Sequence, residues 1–167
     1  MKVQCPQCQA KYRTQSLVDL SAPLVVTCPK CRHRFTVTML EEKKPPKKIL
    51  IVDDARFFRE LIMDLLAGDK FALTTANCGE EAWKQLQTDT FDLLIVDVNL
   101  PDISGLDLIR RVRGDQRCAD ISILCISGVY RRDDDTRQAM MAGANDFMTK
   151  SFHPEDFIAR IDKLLAQ

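Results

Sequence analysis

The chain of 167 residues lacks any apolar stretch near the roughly 18 residues that a membrane span requires. Its N-terminus lacks the apolar core of a secretory signal. Together these absences lead to the expectation of a cytoplasmic protein with no membrane partner. Net charge is also missing, since 24 basic residues balance 24 acidic ones. That zero hides a strong asymmetry. Residues 1–40 hold six basic residues against Asp19 alone, a formal +5. Residues 41–48 read Glu-Glu-Lys-Lys-Pro-Pro-Lys-Lys, a formal +2 with no apolar side chain, and residues 49–167 sum to −7. A basic head is therefore joined to an acidic body through a charged, proline-containing linker that cannot build a core.

Cysteine is present, seven times. In a reducing compartment that usage favours metal binding and packed thiols over disulfides. Cys5-Pro6-Gln7-Cys8 and Cys28-Pro29-Lys30-Cys31 repeat one Cys-Pro-x-Cys unit across nineteen intervening residues. Each unit presents two thiolates on one side of a tight turn, so the pair completes a tetrahedral site for structural Zn²⁺. Iron in a rubredoxin-like site and a redox dithiol are the alternatives. The glycine-rich turns of the first and the βαβ setting of the second are both missing. Alternation in Lys11-Tyr12-Arg13 and in His33-Arg34-Phe35-Thr36-Val37 predicts a short strand after each unit. Residues 1–40 thus resemble the small zinc-ribbon β domains at the start of some bacterial proteins. Four thiolates and one Zn²⁺ lower the charge of the head to about +3, too little to argue for nucleic acid from charge alone. Arg13, Lys30, Arg32 and Arg34 keep that option open, with a solvated surface as the simpler expectation.

Beyond the linker, strands are predicted near 49–53, 72–76, 93–97, 122–127 and 146–149. Helices are predicted near 55–67, 79–88, 105–114, 132–142 and 154–166. Phe58, Leu61, Ile62, Leu65 and Leu66 recur at three- and four-residue steps on the first helix. Gly143 is placed to cap the fourth helix and Pro154 to open the fifth. Five βα units imply a parallel sheet between layers of helices, with its site beyond the carboxyl ends of the strands. Asp53-Asp54, Asp97 and Lys150 all follow strand tips. Converging acids repel unless a cation lies among them, and a divalent metal with a lysine points to phosphoryl chemistry on a carboxylate.

The ordered set Asp53-Asp54, Asp97-Val98-Asn99-Leu100-Pro101-Asp102-x-x-Gly105, Ser127-Gly128 and Lys150 resembles the receiver domain of two-component response regulators. The resemblance implies a flavodoxin-like (βα)5 fold over residues 49–167, with Asp97 as phosphoacceptor. It implies Mg²⁺ ligated by Asp54, Asp97 and the backbone carbonyl of Asn99, with Asp53 acting mostly through bound water. It further implies that Lys150 pairs with the phosphoryl group, that Ser127 donates its hydroxyl, and that Phe147 is the switch aromatic. The implied protein accepts phosphate from a histidine kinase or phosphotransfer protein and loses it slowly by its own catalysis, and is not otherwise an enzyme. With no further segment after Gln167, output is expected through protein contacts of the receiver face, through the head, or as a phosphate sink or relay. A nucleic-acid-binding regulator and an adaptor that never accepts phosphate are the competing readings. Ser151 stands where the family usually has proline, which leads to an expectation of a trans peptide and a less firmly held Lys150. Cys125 is expected in the core, Trp83 on the inward face of its helix, and the run Arg131-Arg132-Asp133-Asp134-Asp135 at a solvated helix start. Cys78, Cys118, His33 and His153 are given no site role.

Overall fold

The computed structural model describes residues 2–13, 24–37, 45–128 and 133–166. It divides into two compact units, Met1–Lys44 and Pro45–Gln167. Among the described residues, the smaller unit holds two antiparallel hairpins: β1 (Lys2–Gln4) with β2 (Lys11–Arg13), and β3 (Leu24–Thr27) with β4 (Arg34–Val37). The strands after each cysteine pair were legible from alternation; β1 and β3 are too short to show a period. The two hairpins follow one plan. Cys5 N–H bonds Ala10 O and Gln9 N–H bonds Cys5 O, while Cys28 N–H bonds His33 O and Arg32 N–H bonds Cys28 O. Gln9 and Arg32 each carry a positive φ, 55° and 60°, which turns the chain back after the second cysteine. Arg13 is described only in its backbone.

The larger unit is a five-stranded parallel sheet in the order β6-β5-β7-β8-β9. Its strands are β5 (Lys47–Val52), β6 (Phe71–Ala76), β7 (Leu93–Asp97), β8 (Ser122–Ser127) and β9 (Asp146–Thr149). Helices α1 (Arg56–Leu65), α2 (Gly79–Thr88), α3 (Gly105–Gly114), α4 (Asp133–Ala142) and α5 (Pro154–Leu165) alternate with them. This is the flavodoxin-like winding. The uninterrupted apolar runs of β5, β7 and β8 occupy the centre and are buried on both faces, whereas Thr-containing β6 lies at an edge. Alternate residues split between two cores. Leu50, Val52, Leu94, Val96, Ile123 and Cys125 face Ala82, Leu86, Leu108 and Ile109 of α2 and α3. Ile49, Ile51, Leu93, Ile95, Leu124 and Ile126 face Phe58 and Ile62 of α1 and Phe157 and Ile161 of α5.

One boundary differs from expectation. Lys47 and Lys48, assigned to the linker 41–48, begin β5. Lys47 Nζ meets Asp92 at 2.7 Å, Lys48 Nζ meets Asp89 at 2.8 Å, and Lys48 N–H donates to Asp92. Those partners lie some 40 residues downstream, so a local reading of charge could not find them. Residues 41–44 of the linker, and Arg131 and Arg132 of the acidic helix start, lie outside the described residues. Gly143 takes φ +109° after α4, as its capping role requires, and Pro154 opens α5. Arg113 of α3 fastens that turn by donating to Gly143 O, Ala119 O, Ile121 O and Asn145 Oδ1. Cys125 is fully buried, and burial pushes its thiol up to about 12. Trp83 packs half-buried against the core, with the Arg111 guanidinium 4.3 Å above its ring. No helix among the described residues is long and apolar enough to cross a membrane.

Candidate phosphoacceptor and thiolate sites

The chain leaves β5 toward β6 on one side and returns to β7 on the other, so a crevice opens at the carboxyl ends of β5 and β7. Asp53 and Asp54 follow β5, and Asp97 ends β7. One carboxylate oxygen from each lies within 4.8 Å of the others. Asp53 and Asp97 are buried while Asp54 is exposed, which leaves the cluster open to solvent on one side. Lys150, just past β9, places Nζ 2.6 Å from Asp53 Oδ2 and 2.8 Å from Asp97 Oδ2. Ser127, buried at the end of β8, accepts the Lys150 N–H on its carbonyl. The order of the strands thus gathers residues spread over about a hundred positions of sequence into one site.

Burial raises the Asp97 carboxyl above its ordinary value, with Asp53 adding to the rise, against lowering contributions from Lys150 and the Asn99 backbone. For Lys150, burial acts to lower the pKa, but the hydrogen bonds and charges of Asp53 and Asp97 outweigh it and raise the ammonium's value. The lysine is charged and bound to the acids. Asp97 Oδ1 is buried with no hydrogen-bond partner, in contrast to Asp53 Oδ1, which accepts the Ala55 N–H at 2.8 Å. A buried carboxylate oxygen without a partner is costly, and a hard cation on that oxygen removes the cost.

The β7–α3 loop is held by contacts that explain its motif. Gly105 N–H bonds Val98 O at 2.8 Å, and a Cβ on Gly105 would lie 1.9 Å from the Asp97 carbonyl oxygen. Only glycine fits there. Asp102 reaches across to α2, accepting Gly79 N–H at 2.9 Å and Glu80 N–H at 2.8 Å, and so caps that helix from the site loop. Those backbone donors overcome desolvation and hold the Asp102 carboxyl down at about 2.

No cis peptide occurs among the described residues, so Lys150–Ser151 is trans as expected. Besides its two carboxylates, Lys150 Nζ sits 4.7 Å from the Phe58 ring centroid. Phe58 meets Phe152 edge-on at 6.0 Å, and Phe152 stacks on Phe157 of α5 at 4.7 Å. This aromatic column anchors the loop where proline is missing. Sequence periodicity marks Phe58 as a core residue and says nothing of its second task beneath the lysine. Arg59, whose guanidinium donates to the Asp53 carbonyl, also carried no sequence signal. Phe147 is turned into the core at 7% exposure.

In the head, Cys5, Cys8, Cys28 and Cys31 bring their sulfurs within 4.8 Å of one another. Each pair across the two hairpins, Cys5 with Cys31 and Cys8 with Cys28, stands at 3.6 Å. That is far beyond a disulfide bond of about 2.05 Å. It matches the edge of about 3.8 Å that four sulfurs at the usual Zn–S distance of about 2.3 Å define.

Residues 49–162 match the family described as Response regulator receiver domain. The chemotaxis protein CheY of Pseudomonas aeruginosa is 36% identical over 118 residues, covering 70% of this chain and 94% of that protein. The response regulator SaeR of Staphylococcus epidermidis is 31% identical over 119 residues, 71% of this chain, and the chain spans half the length of that relative. Among solved structures, the response regulator TrrA of Thermotoga maritima in complex with Mg²⁺-BeF is 31% identical with a TM-score of 0.63, covering 71% of this chain and 98% of that one. CheY4 of Vibrio cholerae is 26% identical with a TM-score of 0.67, covering 71% and 98%.

Proposed function

The chain belongs to the response regulator receiver family of two-component signalling through residues 49–162, and from that premise we propose that Asp97 is its phosphoacceptor. The observation that carries the reading is the acid cluster itself: three carboxylates within 4.8 Å, bridged by Lys150, with one Asp97 oxygen left without a partner. The Asp97 carboxylate attacks the phosphorus of a phosphohistidine. A new O–P bond forms as the P–N bond breaks, and the imidazole leaves as the neutral base once it has taken a proton.

Asp53, Asp54, Asp97 and the Asn99 carbonyl would hold Mg²⁺, a hard ion suited to few carboxylates and retained water. When bound, it neutralises charge on the phosphoryl oxygens. The solved structure of the relative TrrA is a complex with Mg²⁺-BeF. Lys150 pairs with one phosphoryl oxygen and the Ser127 hydroxyl donates to another. The same site lets water attack the phosphorus later, releasing inorganic phosphate and restoring Asp97, so the protein resets slowly without acting as an enzyme on other substrates. Phe147 is the switch aromatic and reports the state of Ser127 by the depth of its ring. The donor is a histidine kinase or phosphotransfer protein, and output passes through protein contacts.

The four thiolates of the head hold one structural Zn²⁺, supported by sulfur spacings that fit a tetrahedron. A nucleic-acid reading of the head rests on Arg13, Lys30, Arg32 and Arg34, of which Lys30, Arg32 and Arg34 are exposed. Duplex binding that falls steeply with salt would favour that output. The principal test is intact mass after incubation with Mg²⁺ and acetyl phosphate. One phosphoryl group is expected, absent with EDTA and in Asp97→Asn; no gain, with a phosphorylated kinase also failing as donor, leaves the adaptor reading.

A further inference from the structure

The two hairpins of the head share more than their cysteines. In register, Val3 pairs with Tyr12 and Val26 pairs with Phe35, and Cys5 and Cys28 each stand two residues beyond those valines. Tyr12 and Phe35 are therefore the same position of one repeated unit, seven residues after the first cysteine of each pair. The side chains differ by a single hydroxyl. That hydroxyl lies 3.2 Å from Cys28 Sγ, the thiol of the opposite hairpin, and Cys28 is fully buried at 1% exposure. Phe35 has no such group and instead stacks on His33 with centroids 6.2 Å apart and planes at 8°. The pseudo-symmetry of the head is broken at one sulfur.

A metal-bound thiolate has no proton of its own to give, so in the zinc-loaded head the Tyr12 hydroxyl is the donor and Cys28 Sγ the acceptor of that contact. Among thiolates on one metal, one that accepts a hydrogen bond carries less free charge and reacts more slowly with electrophiles.

Resting on the zinc reading above, we propose that Tyr12 is a positioning residue for the metal: its hydroxyl orients and shields the Cys28 thiolate across the hairpins, making Cys28 the most protected of the four ligands. Tyr12→Phe keeps the ring, and with it the packing, while deleting only the donor. The site is therefore still built in the variant, and what changes is which sulfur yields first.

The test uses the full chain. Zinc content is measured by elemental analysis for wild type and Tyr12→Phe, and zinc release to a coloured chelator is then followed in the presence of N-ethylmaleimide. The first cysteine alkylated is identified by peptide mass. Equal loading at one zinc, release faster by about tenfold in Tyr12→Phe, and a move of Cys28 from last to early in the order of alkylation are expected. Equal release with Cys28 still last overturns the proposal and leaves the zinc reading standing. A variant that binds less than one zinc also overturns it, because the hydroxyl then builds the site rather than tuning it. Wild type without zinc removes the zinc reading, and the proposal with it.

Discussion

The head and the receiver solve the same problem with opposite means. Among the described residues, the head buries only Cys5 and Cys28, while the receiver buries two apolar clusters, one on each face of its sheet. A unit of about forty residues closes little core, and what it brings together instead is four sulfurs within 4.8 Å of one another. The receiver's two apolar clusters are built without its acids, which gather instead at the strand ends. The two metal-suited clusters differ accordingly. The four sulfurs lie within 4.8 Å of one another with Cys5 and Cys28 buried, whereas among the acids Asp54 is exposed and Asp97 keeps an oxygen without a hydrogen-bond partner.

Stripping the metal breaks that comparison most sharply. Full chain treated with a strong zinc chelator under reducing conditions should lose hydrogen-exchange protection throughout residues 2–13 and 24–37, with protection in 47–52 and 93–97 unchanged. Protection that survives in the head would mean its hairpins hold without a metal. Next in size is Gly105→Ala, which forces a Cβ to 1.9 Å from the Asp97 carbonyl oxygen. The variant should lose about 1–3 kcal/mol in urea unfolding of the receiver and accept phosphate poorly, with the head's zinc content unaltered. A midpoint equal to wild type would show that the loop relaxes freely.

Asp102→Ala is the mildest change. Removing the acceptor for Gly79 and Glu80 N–H should cost about 1 kcal/mol. Its pH dependence follows from a carboxyl held at about 2 in the fold. Since that value lies below the ordinary one of about 3.9, the stabilisation is complete above the ordinary value and is lost as pH falls toward 2. The gap between wild type and variant should be constant from pH 5 to 7 and shrink on acidification below 4. A gap that stays constant below pH 4 would mean the cap is not ionic.

How much of this was readable in the sequence also divides between the two regions. The receiver's strands β7, β8 and β9 and helices α2 and α3 fell at the expected residues because buried parallel strands and amphipathic helices announce themselves by period. The acids and lysine were legible because they end those strands. What stayed hidden acts across distance: Lys47 and Lys48 joining β5 through Asp92 and Asp89, Asp102 capping α2, and Phe58 lying beneath Lys150. In the head, spacing marked the four clustered cysteines and alternation marked β2 and β4, but the three and four residues of β1 and β3 showed no period. The positive φ of Gln9 and Arg32 had no glycine to mark it.

The most direct test of the central claim is to find the phosphorylated residue itself. Full chain treated with Mg²⁺ and acetyl phosphate is reduced at once with borohydride, which converts an aspartyl phosphate to homoserine, and the peptides are sequenced by mass. Homoserine at position 97 alone is predicted. Homoserine at 53 or 54, or at no aspartate while a phosphorylated kinase loses no phosphate to the chain, would contradict it.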